Sequence, residues 1–201
     1  MPPRRPKFLR VSLAVCILGG CIAGLYALGY HDREPGPARE RSGLDRVAVA
    51  ATARRLNGTL YDPFKGGCSD IGSVMGWIVC ADVPRLAYAK AGYDLDVAVK
   101  KSTPTGNVER SARRTRDVHA FLSENGWMVL EGAPLLPGDI AFFAKEGGGT
   151  PMHCALVIEA GQAADARFAE STGRTVLSGE VRLAEILERG WKSVGVGRIV
   201  P

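Results

Sequence analysis

The chain has 201 residues, 46% hydrophobic and 23% charged, which suits one globular domain plus an appendage. The formal net charge of +5 sits at one end: residues 1–41 hold seven Lys/Arg and three acids, leaving 19 basic against 18 acidic side chains over the other 160 residues. That balance argues against a nucleic-acid footprint on the folded part, and the 25 Gly and 12 Pro fall without a collagen-like period.

In chain order, Arg4, Arg5, Lys7 and Arg10 form a basic stretch (residues 1–10) before a charge-free apolar run, residues 11–30. Twenty residues at about 1.5 Å of helical rise span roughly 30 Å, the thickness of a bilayer core. Positive charge ahead of the run favours keeping residues 1–10 in the cytoplasm and exporting the chain beyond residue 30. Three readings stay open: a retained membrane anchor, a signal peptide cleaved near Ala27-Leu28-Gly29, and a lipoprotein box, Leu18-Gly19-Gly20-Cys21, acylated at Cys21. All three place the globular part in the cell envelope or beyond. Residues 31–42, with two prolines and six charges, read as a linker, so the folded domain is expected over 43–201.

Apolar spacing predicts a helix over 44–56, a loop rich in Gly, Asp and Ser over 61–77, and a second helix over 83–91 stopped by Gly92. Residues 94–116 show no clear period. A third helix is expected over 117–125, then strands over 139–144, 153–160, 167–171 and 192–200, with a short helix over 183–189 before the last. Helices first and a meander of strands after is the α+β pattern, with N-terminal helices packed on an antiparallel sheet.

Cys16 and Cys21 fall in the apolar run, leaving Cys68, Cys80 and Cys154. Three is odd, so in an oxidising compartment at least one stays unpaired or bridges to another chain. Pro84 is tolerated only in a first helical turn, which puts the helix start near Asp82 or Val83 and Cys80 at its positive end, where a thiolate is stabilised. Gly66, Gly67, Gly72 and Gly76 upstream would let the backbone approach a substrate closely, and Gly76, Trp77 and Asp82 flank the cysteine as candidate substrate contacts. The plainer alternative is a small buried cysteine at a loop–helix junction. His153 opens an apolar strand, and alternation puts His153, Ala155 and Val157 on one face and Cys154, Leu156 and Ile158 on the other. Cys154 therefore reads as core, and His119 as a surface helix residue. A cysteine nucleophile needs a base that meets it in space, for which His153 is the candidate.

A Cys-x-Asp helix start, the Pro137-Gly138-Asp139 turn before a hydrophobic strand, a strand opening on His153, and the closing Gly195-Val196-Gly197-Arg198-Ile199 occur in that order. Together they resemble the papain-like cell-wall cysteine peptidases of the NlpC and CHAP type, over roughly residues 44–200. The resemblance implies Cys80 as nucleophile, His153 as base, and a polar residue on the next strand that orients the histidine, here Glu170. It also implies part of an oxyanion hole from the Cys80 amide. Val79 and Ala81-Asp82 stand where the commoner pattern has Asp before the cysteine and Ser-Gly after it.

The expected activity is hydrolysis of an amide in peptidoglycan, either a stem-peptide bond or the bond joining muramic acid to the peptide. The partners implied are peptidoglycan and, through the N-terminal segment, a membrane. The alternatives are acyl transfer to a lipid or protein on the same fold, and a non-catalytic envelope module. With no Walker loop, dinucleotide fingerprint, paired Cys-x-x-Cys or His-Glu-x-x-His helix, neither cofactor nor metal is expected. Cys68 could pair with Cys80 or Cys154 or remain free. The basic residues Lys100, Lys101, Arg110, Arg113, Arg114 and Arg116 could hold substrate carboxylates, though a solvated loop balanced by acids explains them more simply.

Overall fold

A computed structural model describes residues 43–62 and 76–201. The N-terminal basic stretch, apolar run and linker, together with Gly66, Gly67, Gly72 and Cys68, lie outside the described residues. Among those described, no helix is long and apolar enough to cross a membrane.

Helix α1 (Arg46–Arg55) opens where the Asp45 side chain accepts the Ala48 N–H at 2.9 Å, and its buried stripe is Val49, Ala50 and Ala53. Helix α2 (Asp82–Lys90) has Pro84 in its first turn, as the sequence requires. Helix α3 (Leu95–Lys101) falls in a stretch without visible period. Asp94 caps it by accepting the Val97 N–H at 3.0 Å, and Leu95 and Val99, one turn apart, are its buried residues. Helix α4 (Thr115–Glu124) begins two residues earlier than the apolar spacing suggests, because Thr115 is itself buried.

Strands β1 (Ile140–Lys145), β2 (His153–Glu159), β3 (Arg167–Glu170), β4 (Gly179–Arg182) and β5 (Trp191–Gly197) form one antiparallel sheet in the order β4-β3-β2-β1-β5. Edge strand β4, only four residues long, is too short to stand out by alternation. Helix α5 (Leu183–Leu187) joins it to β5. The period-2 expectation for β2 holds, and both faces are buried. Cys154, Leu156 and Ile158 join the core under α1, α2 and α4, while Ala155 and Val157 join a second core with Phe143, Phe168 and Ile186.

Two of the sequence signatures are structural joints. In the Pro137-Gly138-Asp139 turn, Gly138 has φ +89° and its carbonyl accepts the Tyr88 hydroxyl at 2.5 Å. Buried Asp139 accepts the Leu136 N–H and the Arg198 guanidinium (2.8 and 2.7 Å), with Arg46 at 3.4 Å. This ties the two chain ends of the domain to the turn that feeds β1. In β5, a methyl group at Gly197 would overlap Leu122, so only a glycine lets α4 lie this close to the sheet.

Candidate active site

Cys80 lies in the turn just before α2, and a buried ion network shapes that turn. The Asp82 carboxylate, shut off from solvent, accepts the Val79 N–H at 3.0 Å and Arg85 Nε at 2.7 Å. Arg113, from the loop before α4, reaches it through Nε (3.1 Å) and Nη2 (2.9 Å) and extends Nη2 to buried Asp62 at 3.1 Å. Two carboxylates from separate segments thus share one guanidinium, a geometry a planar fork serves and an ammonium does not. Asp82, a candidate substrate contact in the sequence, is therefore corrected to a support. Its oxygens are spent on backbone and arginines beneath Cys80 and have no access to a substrate.

Apart from Lys101, the basic stretch is likewise paired internally. Arg110 bonds Glu124 (2.6 Å), Lys100 lies 3.1 Å from Glu109, and Arg114 and Arg116 both face Asp117. Balance by acids, the simpler of the two sequence readings, is what the geometry gives.

His153 enters from β2, 4% exposed. Its Nε2 lies 2.6 Å from Glu170 Oε2, and the other Glu170 oxygen takes the Arg189 guanidinium. This leaves Nδ1 as the ring nitrogen not engaged by Glu170, and the histidine and the Cys80 thiol act on each other's ionisation. Trp191 stacks on the imidazole at 5.2 Å between ring centres and carries Lys145 Nζ 3.7 Å from its own ring centre. On the other side of Cys80, Thr115 Oγ1 is 3.4 Å from Cys80 Sγ and 3.7 Å from Cys154 Sγ.

The charges follow from these contacts. A hydrogen bond from the Cys154 thiol, then the bond and charge of His153 and the Thr115 hydroxyl, overcome burial and hold the Cys80 thiol well below its usual range. Burial alone would depress His153, but its bonds to Cys80 and Glu170 and their charges push it up to about 9. Burial would raise Glu170, yet the His153 bond and the His153 and Arg189 charges hold it below the usual carboxylate range. These shifts favour a thiolate–imidazolium pair backed by a carboxylate. Burial, and next the Cys80 charge, raise the pKa of the Tyr61 hydroxyl. Among the described residues, no group of three or more His, Cys, Asp or Glu is arranged to hold a metal.

No known family profile matches the sequence, and no curated protein does. Among solved structures, the NlpC1 protein of Trichomonas vaginalis matches 80% of this chain and 46% of its own at TM-score 0.51 and 12% identity. NlpC2 of the same organism matches 79% of this chain and 48% of its own, at TM-score 0.51 and 15% identity. This chain thus spans about half the length of either. The fold is that of the NlpC/P60 domains.

Within that NlpC/P60 fold, the structure brings Cys80, His153 and Glu170 together. Trp77 is half-buried and Gly76 exposed with φ +70°, both on the chain leading into Cys80. His119 is not a surface residue as expected: it is half-buried edge-on against Phe142 at 5.0 Å, and burial lowers its pKa. Thr115, Arg189, Trp191 and Tyr61 escape a reading of the sequence, because nothing in their local spacing ties them to Cys80 or His153. The one available signal is that Arg189 and Trp191 flank the glycine that ends the last helix.

The ion pair has a pH signature. Alkylation of Cys80 by iodoacetamide is expected to stay near its plateau through neutral pH, where an ordinary thiol, with a pKa of about 8.5, is mostly protonated. The imidazolium deprotonates near pH 9. Glu170→Gln removes the anion favouring the cation, so His153 titrates at lower pH and the alkaline end of the ion-pair window moves down. An NMR titration of the imidazole checks this, and an unchanged His153 midpoint in Glu170→Gln would contradict the assignment.

Proposed function

We propose that the chain is an exported cysteine hydrolase that cleaves an amide bond in peptidoglycan. The observation that carries this reading is the Cys80–His153–Glu170 grouping: a thiol whose pKa is pulled down, a histidine whose pKa is pushed up, and a carboxylate 2.6 Å from the histidine Nε2. The NlpC/P60 fold and the basic, apolar N-terminal sequence support the substrate class and the export.

In the proposed reaction the Cys80 thiolate attacks the amide carbonyl carbon. The Cys80 backbone N–H receives the developing oxyanion as part of its hole. His153 delivers its proton to the amine nitrogen as the C–N bond breaks, leaving a thioester on Cys80 and a neutral imidazole. The imidazole then takes a proton from water as the water oxygen attacks the thioester, and the carboxylic acid leaves. Thiolate and imidazolium are restored. Glu170 retains its charge throughout, holding the ring and stabilising its cation. Gly76 and Trp77 are proposed to border the bound peptide.

The test is incubation of purified peptidoglycan with the full chain under reducing conditions, then mass spectrometry of the soluble fragments. Fragments released by the native chain, and not by chain pre-alkylated with iodoacetamide, would establish the substrate class. Their new termini would identify the bond as a stem-peptide or a muramoyl amide. Silence from both would count against peptidoglycan as the substrate.

A further inference from the structure

Cys154 comes directly after His153, on the opposite face of β2, and strand alternation alone gives it only a core position. The core on that face also borders Cys80: Cys154 is buried within it, and Cys80 is packed half-buried against it. Thr115 Oγ1 touches both sulfurs, at 3.4 Å and 3.7 Å, and both thiols are free. The two thiols also act on each other's ionisation: their mutual influence is the largest depressing Cys80, and it pushes Cys154 well above the usual thiol range. One sulfur is thus a solvent-reachable thiolate, and the other a protonated thiol that solvent cannot reach.

We propose that Cys154 is a resolving thiol for Cys80, so that oxidation by a peroxide closes a Cys80–Cys154 disulfide and reversibly silences the site. In the first step the Cys80 thiolate attacks one peroxide oxygen. An S–O bond forms, the O–O bond breaks, and hydroxide leaves, giving Cys80 sulfenic acid when the peroxide is hydrogen peroxide. In the second, Cys154, as it loses its proton, attacks the sulfenic sulfur, and the hydroxyl group leaves as water. Sulfur is oxidised and peroxide reduced, and no other reactant is needed. The arrangement is selective because, of these two sulfurs, Cys80 is the one open to the oxidant. Cys154 is met by the sulfenic acid alone, before a second peroxide can carry Cys80 to the irreversible acids.

The proposal uses the same Cys80 thiolate as the hydrolase reading, but its test reads thiol chemistry and not amide cleavage, so either can fail without the other. The full chain, reduced and desalted, is treated with a few equivalents of hydrogen peroxide, then unfolded in guanidinium chloride containing iodoacetamide so that every remaining thiol, buried Cys154 included, is blocked, and digested without reduction for peptide mass spectrometry. The expected product is a Cys80 peptide joined to a Cys154 peptide, lighter by about 2 Da than the two thiol peptides together, with Cys80 alkylation returning after dithiothreitol. In Cys154→Ser, and in Cys154→Val should the hydroxyl disturb the core, Cys80 is expected to gain about 32 or 48 Da and not recover. Three results would overturn the proposal: a bridge from Cys80 to Cys68, overoxidation of Cys80 in the native chain as fast as in the variants, or a Cys154 still alkylated in full once Cys80 is oxidised.

Discussion

Cys80→Ala is expected to lose amide hydrolysis by at least about 10⁵-fold while melting within a few degrees of the native chain. The two halves have different causes. In the proposed mechanism turnover needs the sulfur, because His153 and Glu170 lack a nucleophile without it, and residues acting as a unit fail together. Folding does not, because the turn is held from below by Asp82 through Val79, Arg85 and Arg113. Cys80→Ser adds a contrast: a hydroxyl there is not ionised at neutral pH, so it should stay near the Ala variant in turnover. The measurement is fragment release from peptidoglycan beside a thermal melt. Turnover retained by Cys80→Ala would remove the nucleophile assignment. Lost folding would instead make the cysteine a packing residue.

Arg113→Met is expected to be the largest single loss of stability outside the hydrophobic cores, about 3 kcal/mol, or roughly a 10 °C fall in melting temperature. Arg113 is mostly buried, and both carboxylates it joins are almost wholly so, at 14% and 1% side-chain exposure. Removing it leaves Asp62 and Asp82 as buried charges with their shared counter-ion gone. The figure sits at the low end for a broken buried pair because Asp82 keeps Arg85 and the Val79 amide. Arg113→Lys keeps the charge but not the fork, so it should recover part of the loss. Lys100→Met, at an exposed pair with Glu109, should leave the urea curve unchanged. Equal stability for Arg113→Met and Lys100→Met would show that the network is decoration and does not clamp the Cys80 turn.

The parts of this fold that are legible in the sequence are those governed by near neighbours in the chain. Pro84 cannot sit beyond a first helical turn, so the start of α2 at Asp82, and with it the placement of Cys80, comes from one ring. Alternation in residues 153–158 correctly separates the two faces of β2. Helix α3 escapes such a reading because seven residues hold two buried positions, too few for a period. Strand β4 escapes it because a four-residue edge with one buried residue does not alternate visibly.

The site divides along the same line. Cys80, His153 and Glu170, the proposed catalytic residues, are picked out in the sequence because a helix start, a strand start and the next strand occur in a recognisable order. Their surroundings cannot, since Thr115 lies 35 residues from Cys80 and Arg189 lies 19 from Glu170. Asp82 shows the limit most plainly: an acid two residues from the proposed nucleophile invites a substrate role, and only the arrival of Arg113 and Asp62 from other segments makes it a buried support. Cys154 shows it again. Its side of the strand is a matter of local geometry, but the sulfur it meets there depends on where α2 docks, and docking is settled by burial over the whole core and not by any residue's neighbours in the chain.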